Sequence, residues 1–409
     1  MTSYCCRLCG SASGETFLDL GTVPLANSLL KPDAAADDEP RHALRVWICR
    51  DCLLVQLESS VAPEQIFSDY VYFSSMSPQT LARSERYVDC VCARLGLTSC
   101  SQVVEIGSND GYLLRFFRQR GIPVLGIEPA ANIARAAEAI GVPTKVAFFN
   151  AETALSLRDR YSADLIIANN VFAHVPDINN FVRGLTLLLK PGGTVHIEVP
   201  HLLRLIDELE FDTIYHEHVF YFSLLSVEAA LSRQGLLVYD LELLPTHGGS
   251  IRVHAAHQSA GRAPSRNVLR VRQAEHDAGL NRVETYCGLS PAVAAAKMKL
   301  TGFFSTAARE GKTIAGYSAS AKGISLLNYV GVEARFVDYV VDRSPHKQGL
   351  RLPGTHLPIY PPERVFETRP DYLLILSWNI KDEVMDQMSA IRAWGGKFVI
   401  PIPKLTILP

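Results

Sequence analysis

The chain has 409 residues, of which 48% are hydrophobic and 20% are charged, a composition typical of a globular protein with two or three domains. Its formal net charge of -2 gives no reason to expect a nucleic acid or an anionic membrane as a partner. No apolar stretch reaches the ~20 residues of a membrane span, and the N-terminus does not read as a signal peptide. The sequence therefore predicts a cytoplasmic protein.

Two CxxC pairs stand near the N-terminus, Cys6 with Cys9 and Cys49 with Cys52. In a reducing compartment such cysteines are metal ligands or free thiols rather than disulfides. Each pair forms a knuckle that supplies two thiolates to one tetrahedral zinc ion. Four thiolates leave no open position for water, so we predict a structural zinc. Cys5 could replace Cys6, but the two-residue spacer favours Cys6, and four free cysteines are the alternative.

The residues between the two pairs are expected to form loops around a small hairpin. Residues 67–77 follow and are dense in aromatic and hydroxyl side chains. They form either a half-buried linker or a lid that closes over a cofactor, with one tyrosine directed at the substrate. Residues 80–95 then predict a helix that leads into the next domain.

An apolar run over residues 102–106 ends in a glycine-rich turn, and residues 112–120 have the pattern of an amphipathic helix. This order of strand, turn and helix opens a doubly wound α/β sheet. The turn resembles the acidic-x-Gly-x-Gly-x-Gly motif of S-adenosylmethionine (SAM) methyltransferases, with Asn109 in place of the middle glycine. Glu105 and Asp110, with no Lys or Arg in the turn, would repel a pyrophosphate and so disfavour phosphate binding, and the resemblance implies SAM as the ligand. The predicted contacts are Glu105, Gly107, Asn109 and Asp110.

Further apolar runs at residues 124–127, 164–170 and 194–199 alternate with helical patterns, which predicts a mostly parallel sheet. Glu128 ends the first of these runs, where a ribose-binding acid is expected. Asn169 and His174 follow the second, at the carboxyl edge where ligands of open sheets bind. Phe149 is a candidate adenine contact, with a core phenylalanine as the alternative. A turn at 190–193 precedes the last run. A dinucleotide-dependent dehydrogenase is the competing interpretation.

Residues 211–223 hold Tyr215, His216, Glu217 and His218 among aromatic side chains. A His-Glu-His sequence suggests a metal site, but alternation along an extended segment would turn Glu217 away from both histidines. We therefore expect one histidine to transfer a proton and Glu217 to orient or hydrogen-bond a ligand.

The rest of the chain predicts two strands at 236–244 and 250–256, joined by a turn that contains His247, and a helical stretch over 267–309. A second α/β unit follows, with strands at 313–317, 336–341, 372–376 and 397–400. A turn of small residues with Ser320 and Lys322 enters its first helix. This turn is either a diphosphate cradle or a helix start without a ligand.

These motifs in this order resemble the sugar C-methyltransferases that branch deoxysugars. The resemblance covers nearly the whole chain: the paired CxxC module, the Glu-Ile-Gly-Ser-Asn-Asp-Gly turn, the Tyr-x-Glu-His segment, the His-Gly-Gly turn and Ser-Ala-Lys-Gly. It implies SAM on the central domain and a dTDP-linked 4-keto-6-deoxysugar between that domain and the C-terminal one, methylated usually at C-3. The catalytic residues it implies are Tyr70, His174, Tyr215, Glu217 and His218. The candidate substrate contacts are Tyr72, which competes with Tyr70, and His247, Ser320 and Lys322.

The chemistry fits these residue types. A hydrogen beside a ketone can be removed to give an enolate, which needs a base near neutral pH and hydrogen-bond donors at the developing oxyanion. We expect His218 to be the base, with Tyr215 and His174 stabilising the enolate and His174 as the competing base. The alternatives are an O- or N-methyltransferase of another small molecule, or a SAM-binding protein without catalysis.

The predicted architecture is α/β: a zinc-binding module and lid at 1–75, a SAM-methyltransferase Rossmann-like domain at 76–262, and a second Rossmann-like domain at 263–409. We expect a monomer.

Overall fold

A computed structural model describes residues 4–34, 39–67, 73–333 and 335–409. The strands, in chain order, are β1 (Gly14–Pro24), β2 (Arg41–Cys49), β3 (Val55–Leu57), β4 (Val103–Ile106), β5 (Val124–Glu128), β6 (Thr144–Val146), β7 (Ala163–Asn169), β8 (Leu189–Pro200), β9 (Phe220–Tyr221), β10 (Leu236–Leu244), β11 (Ser250–His257), β12 (Ile314–Tyr317), β13 (Tyr339–Val341), β14 (Ile359–Tyr360), β15 (Tyr372–Ile375), β16 (Lys397–Ile400) and β17 (Thr406–Leu408).

The α-helices are α1 (Pro63–Phe67), α2 (Pro78–Leu95), α3 (Leu114–Gln119), α4 (Ala131–Ala139), α5 (Ala151–Tyr161), α6 (Ile178–Leu188), α7 (Leu202–Asp207), α8 (Leu224–Ser232), α9 (Arg266–Asp277), α10 (Val283–Tyr286), α11 (Leu289–Arg309), α12 (Ala321–Val330), α13 (Arg364–Thr368) and α14 (Lys381–Gln387). Short 3₁₀ turns lie at Ser74–Met76, Phe172–His174, Phe211–Thr213, Thr246–Gly248, Gln258–Ala260, Trp378–Ile380 and Ser389–Trp394. None of the helices in the described part of the chain is long and apolar enough to cross a membrane.

The N-terminal sheet has the strand order β1-β2-β3-β9 and is antiparallel. The predicted hairpin is the β1–β2 pair. Strand β9 comes from the predicted catalytic segment, far along the chain, and pairs with β3. The N-terminal module is therefore completed by residues of the central domain, which the sequence did not predict.

The central sheet has the order β10-β11-β8-β7-β4-β5-β6. Its strands are parallel except β11, which is antiparallel to both of its neighbours. This is the predicted methyltransferase sheet, in which the first strand lies beside the second and the fourth, so that a crevice opens at its carboxyl edge. One detail differs: the turn predicted at 190–193 is an irregular part of β8, because the register with β7 shifts between Ala163 and Leu165.

The C-terminal sheet has the order β14-β13-β12-β15-β16-β17 and is parallel except for β17. It is the predicted second Rossmann-like unit. The strand predicted at 336–341 is shortened to β13. The short strands β14 and β17 were not predicted.

Two of the hydrophobic cores contain residues from more than one of the three sheets. One core includes Phe17 and Val46 of the N-terminal module together with Leu326 and Val340 of the C-terminal unit. A second core joins Trp47 to strands and helices of the central domain. The module thus packs against both other units. The domain boundaries given above stay a prediction.

Candidate active site

A cleft of about 1700 Å³ opens at the carboxyl edge of the central sheet and extends to the C-terminal unit. Its walls come from the central domain, from α2, and from loop and helix residues of the N-terminal module and the C-terminal unit. Twelve of the predicted site residues line it: Gly107, Asn109, Glu128, Phe149, Asn169, His174, Tyr215, Glu217, His218, His247, Ser320 and Lys322. Tyr70 and Tyr72 lie outside the described residues.

The glycine-rich turn after β4 is held by Glu128 at the end of β5. One carboxylate oxygen of Glu128 accepts the Asn109 backbone N–H at 3.0 Å, and the other accepts the Ala130 N–H at 3.0 Å. Gly107 has φ 63°, and a Cβ there would lie 2.4 Å from a Val171 methyl group. Only glycine fits this position. The backbone therefore comes close to the cleft beside a carboxylate that has further lone pairs for hydroxyl groups, which suits the ribose of SAM.

Glu105 and Asp110 lie below this surface and do not line the cleft. Burial raises the Glu105 pKa well above its usual value, against the effect of a hydrogen bond from Tyr112. Asp110 accepts the Ser75 backbone N–H at 3.1 Å, and the Asn109 side-chain oxygen accepts the Ser74 N–H at 2.8 Å. These two turn residues therefore hold the segment before α2.

The remaining predicted cofactor contacts lie around the end of β7. The Oδ1 atoms of Asn169 and Asn170 are buried without a hydrogen-bond partner among the described residues, so acceptors are available for a polar ligand at this edge. Phe149 is 7% exposed and packs edge-on against Phe181, whereas Phe148 is 37% exposed. Both phenylalanines line the cleft, and Phe148 is the more exposed of the two.

We expect Glu128→Ala to weaken SAM binding by about 1–3 kcal/mol, because a charged acceptor to the ribose hydroxyls is lost. Isothermal calorimetry on the parent and the variant measures this change. Glu138→Ala, an exposed glutamate on the following helix, is the matched control. An unchanged dissociation constant in Glu128→Ala would reject the assignment.

Three side chains of the predicted proton-transfer group come together at the β7 end of the cleft. The rings of His174 and His218 lie 4.9 Å apart between centroids, and those of Tyr215 and His218 lie 4.2 Å apart. His174 Nδ1 lies 2.7 Å from the Glu217 backbone oxygen, and His218 Nδ1 lies 2.9 Å from the Thr213 backbone oxygen. A carbonyl only accepts, so both Nδ1 atoms carry protons.

In the neutral tautomers the two Nε2 atoms are therefore the proton acceptors. The Tyr215 hydroxyl lies 3.0 Å from His218 Nε2 and donates to it. Burial is the largest cause that lowers the His174 pKa to about 4, and it holds the His218 pKa well below its usual range, with His174 lowering it further. Both imidazoles are thus neutral near pH 7 and able to accept a proton.

Residues 215–217 are neither an extended segment nor a helix, because they form a bend and a turn after the 3₁₀ helix Phe211–Thr213. The turn brings Tyr215, Glu217 and His218 to the same cleft. His216 is directed away and is buried with its Nε2 3.3 Å from the His42 carbonyl oxygen.

Opposite this group, the C-terminal unit contributes Lys322 and Ser320. Lys322 Nζ donates to Asn379 Oδ1 at 3.0 Å and lies 4.6 Å from the centroid of the Trp378 ring. Ser320 caps α12 by accepting the Gly323 N–H. The cleft therefore has a positive charge and a helix N-terminus on its far side, where an anionic ligand group would be favoured.

Two buried acids next to Lys322 were not predicted. Asp212 accepts the Trp378 indole N–H at 2.7 Å. Gly248, φ 100°, packs on Glu210 so tightly that a Cβ would lie 2.1 Å from its carboxylate. Burial raises the pKa of Asp212 to about 6 and that of Glu210 to about 7, with Lys322 opposing both shifts. Asp212 lies within the aromatic segment at residues 211–223, but no spacing pattern marks either acid, so the sequence predicted no role for them.

His247 lies in the adjacent turn with φ 58°, a conformation that is uncommon for residues other than glycine. Thr246 anchors the turn by donating to Glu198 at 2.8 Å. The anchored turn therefore places His247 at the wall of the cleft.

The four predicted zinc ligands lie together in the N-terminal module, away from the cleft. The Sγ atoms of Cys6 and Cys52 are 3.5 Å apart, as are those of Cys9 and Cys49, and all four lie within 4.8 Å of one another. A tetrahedron with Zn–S bonds of about 2.3 Å has edges of about 3.8 Å, so the quartet fits the ion. Cys5 is exposed and outside the quartet.

Comparison with known proteins gives the relationship of the whole chain. Family models described as "Putative zinc binding domain", "Methyltransferase domain" and "C-methyltransferase C-terminal domain" match residues 6–67, 67–241 and 245–403. The C-methyltransferase NovU of Streptomyces niveus is 35% identical over 404 residues, which cover 98% of this chain and 96% of NovU. The chain belongs to the C-methyltransferase family. It is a SAM-dependent methyltransferase that also carries a zinc site.

Other known proteins are similar to a smaller part of this chain. A ubiquinone biosynthesis O-methyltransferase of Methylobacterium sp. (strain 4-46) is 33% identical over 95 residues, 22% of this chain and 37% of that protein. Magnesium protoporphyrin IX methyltransferase (ChlM) from Synechocystis PCC 6803, solved with bound SAM, is 14% identical with a TM-score of 0.33, covering 47% of this chain and 88% of that structure.

Proposed function

We propose that this C-methyltransferase transfers a methyl group to the carbon next to the ketone of a nucleotide-linked 4-keto-6-deoxysugar, at C-3, through an enolate. The observation that carries the proposal is the convergence, in one cleft, of the SAM turn, the His174–Tyr215–His218 group and Lys322. The resemblance to sugar C-methyltransferases supplies the substrate class, with dTDP as the expected nucleotide.

Proton removal is assigned to His218 acting through Tyr215. The Tyr215 oxygen takes the α-proton of the sugar while its own proton moves to His218 Nε2, 3.0 Å away. The products of this step are the enolate and an imidazolium whose Nδ1–H stays on the Thr213 carbonyl. His174, with Nδ1 held by the Glu217 carbonyl, keeps Nε2 as the competing base. Glu217 binds a sugar hydroxyl.

SAM would supply an electrophilic methyl group on a sulfonium sulfur; the enolate carbon would take this methyl group as the sulfur–methyl bond breaks, and the neutral, demethylated thioether would be the leaving group. The residues around Glu128 and Gly107 fix the donor, and Lys322 with the α12 N-terminus receives the diphosphate. Alignment of the two reactants carries much of the reduction of the barrier.

The proposal is tested by incubating the full-length enzyme with isotopically labelled SAM and a panel of nucleotide 4-ketosugars. We expect NMR to find the label on the carbon beside the ketone, with loss of the α-hydrogen. Label on an oxygen or nitrogen, without exchange of an α-hydrogen, would replace the proposal with heteroatom methylation.

We expect the KM for the nucleotide sugar to rise by about threefold to tenfold between about pH 5.5 and pH 8. The pKa values of Asp212 and Glu210, about 6 and 7, place their ionisation in this interval. Their negative charges then offset Lys322 and weaken the binding of a diphosphate. Steady-state kinetics across this interval measures the effect.

Glu210→Gln removes one of these ionisations and should flatten the KM profile. Glu138→Gln, at an exposed glutamate on α4, is its control. A KM that is independent of pH in the parent enzyme would contradict the prediction.

A further inference from the structure

Asn27 belongs to the N-terminal module, yet it lines the cleft. It lies in the loop after β1, where the Ser28 N–H donates to the Leu25 carbonyl at 3.1 Å. Three residues beyond Asn27, Leu30 exchanges two backbone hydrogen bonds, of 2.9 and 2.8 Å, with Arg351 of the C-terminal unit. The loop is therefore fixed by its own turn on one side and by another domain on the other.

The side-chain amide of Asn27 donates to the Glu217 carboxylate. Because a carboxylate only accepts, the amide must direct its NH₂ group toward Glu217. Glu217 is 5% exposed, and hydrogen bonds to a charged acceptor in such surroundings are strong. This contact joins the zinc-bearing module directly to the segment that holds Tyr215 and His218.

We propose that Asn27 is a positioning residue of the reaction, which fixes the Glu217 carboxylate in the cleft so that it receives a hydroxyl of the sugar. The proposal rests on the role given to Glu217 in the proposed function. It assigns to the N-terminal module, beyond its zinc site, one side chain of the active site.

We expect Asn27→Ala to lower kcat/KM for methyl transfer by about tenfold to a hundredfold, since Glu217 loses a charge-assisted hydrogen bond. SAM affinity and zinc content should match the parent. Asn179→Ala is the control, because Asn179 also ties the module to the central domain, through the Arg7 and Leu8 carbonyl oxygens at 3.0 Å each, but does not line the cleft. Equal losses in the two variants would mean that Asn27 only holds the module in place and would overturn the proposal.

Asn27→Asp supplies a readout that a structural role would not change. Below an apparent pKa raised by the adjacent carboxylate, the new acid shares a proton with Glu217 and keeps the contact. Above this pKa the two charges repel. Among the described residues, the titratable groups that line the cleft include His174, His218 and His247, which stay neutral in the same range, and Tyr215, Glu64 and Lys322. The kcat of Asn27→Asp, measured at saturating nucleotide sugar, should therefore fall with rising pH where the parent's kcat does not, and a parent-like kcat profile would overturn the proposal.

A double-mutant cycle separates this inference from the proposed function. Thermal unfolding of Asn27→Ala, Glu217→Gln and the double variant should show non-additive shifts, because the two side chains act as a pair. Additive shifts would overturn the inference whether or not a ketosugar is methylated. If the cycle shows coupling but no ketosugar is a substrate, the proposed function fails, and the positioning of Glu217 by Asn27 is retained for the true acceptor.

Discussion

His218→Asn is expected to lower exchange of the sugar α-hydrogen in D₂O by a factor of about a thousand, and Tyr215→Phe to lower it to the same extent. General bases contribute about 10²–10⁴ to the rate, and in the proposed relay neither residue works alone. Exchange is followed by NMR with SAM replaced by its demethylated product, so that no turnover occurs. Methyl-donor binding should stay unchanged in both variants.

Non-additive losses of exchange in the double variant would distinguish a relay from two independent contributions. In His218→Asn/Tyr215→Phe the loss should be no larger than in either single variant, because both changes interrupt one proton path. His216→Asn is the control: it changes the same segment, but this side chain is bonded to the His42 carbonyl and does not line the cleft. If exchange persists in His218→Asn but is lost in His174→Asn, His174 is the base. If exchange persists in both variants, the proposed mechanism is wrong.

The part of the site built from consecutive residues was predictable. Gly107 and Glu128 follow apolar runs that form strands at the predicted positions, and parallel strands bring their carboxyl ends to one edge. The strand over residues 236–244 matches β10 in both bounds. Here local hydrophobic pattern and tertiary packing favour the same conformation.

The parts that depend on distant pairing were not predictable. Strand β9 has only two residues and forms by pairing with β3, so a local hydrophobic pattern could not predict it. The turn over residues 215–217 lies shortly before β9 and places Glu217 beside Asn27, a residue far away in the sequence. The sequence could not show which of the adjacent Phe148 and Phe149 rings is buried, because the Phe149 ring is buried against Phe181 on α6.

Loss of the zinc site should disturb the active site as well as the module. Cys49 ends β2, and β3 begins three residues after Cys52. Because β3 pairs with β9, which comes two residues after His218, the ion stabilises the sheet that carries the proposed proton-transfer segment. A module with so small a core depends on its metal for folding.

We therefore expect Cys49→Ser to lower the zinc content from about one ion per chain to near zero and to lower the temperature of the first unfolding transition. Methyl transfer should be lost with it. SAM binding at the central sheet should persist where that domain stays folded, because β4, β5 and β7 do not belong to the N-terminal sheet. Metal analysis, thermal unfolding, a methyl-transfer assay with labelled SAM and calorimetry measure these four quantities. Cys5→Ser, next to the quartet but exposed, should behave like the parent. Full zinc content with parent-like unfolding in Cys49→Ser would remove Cys49 from the ligand set.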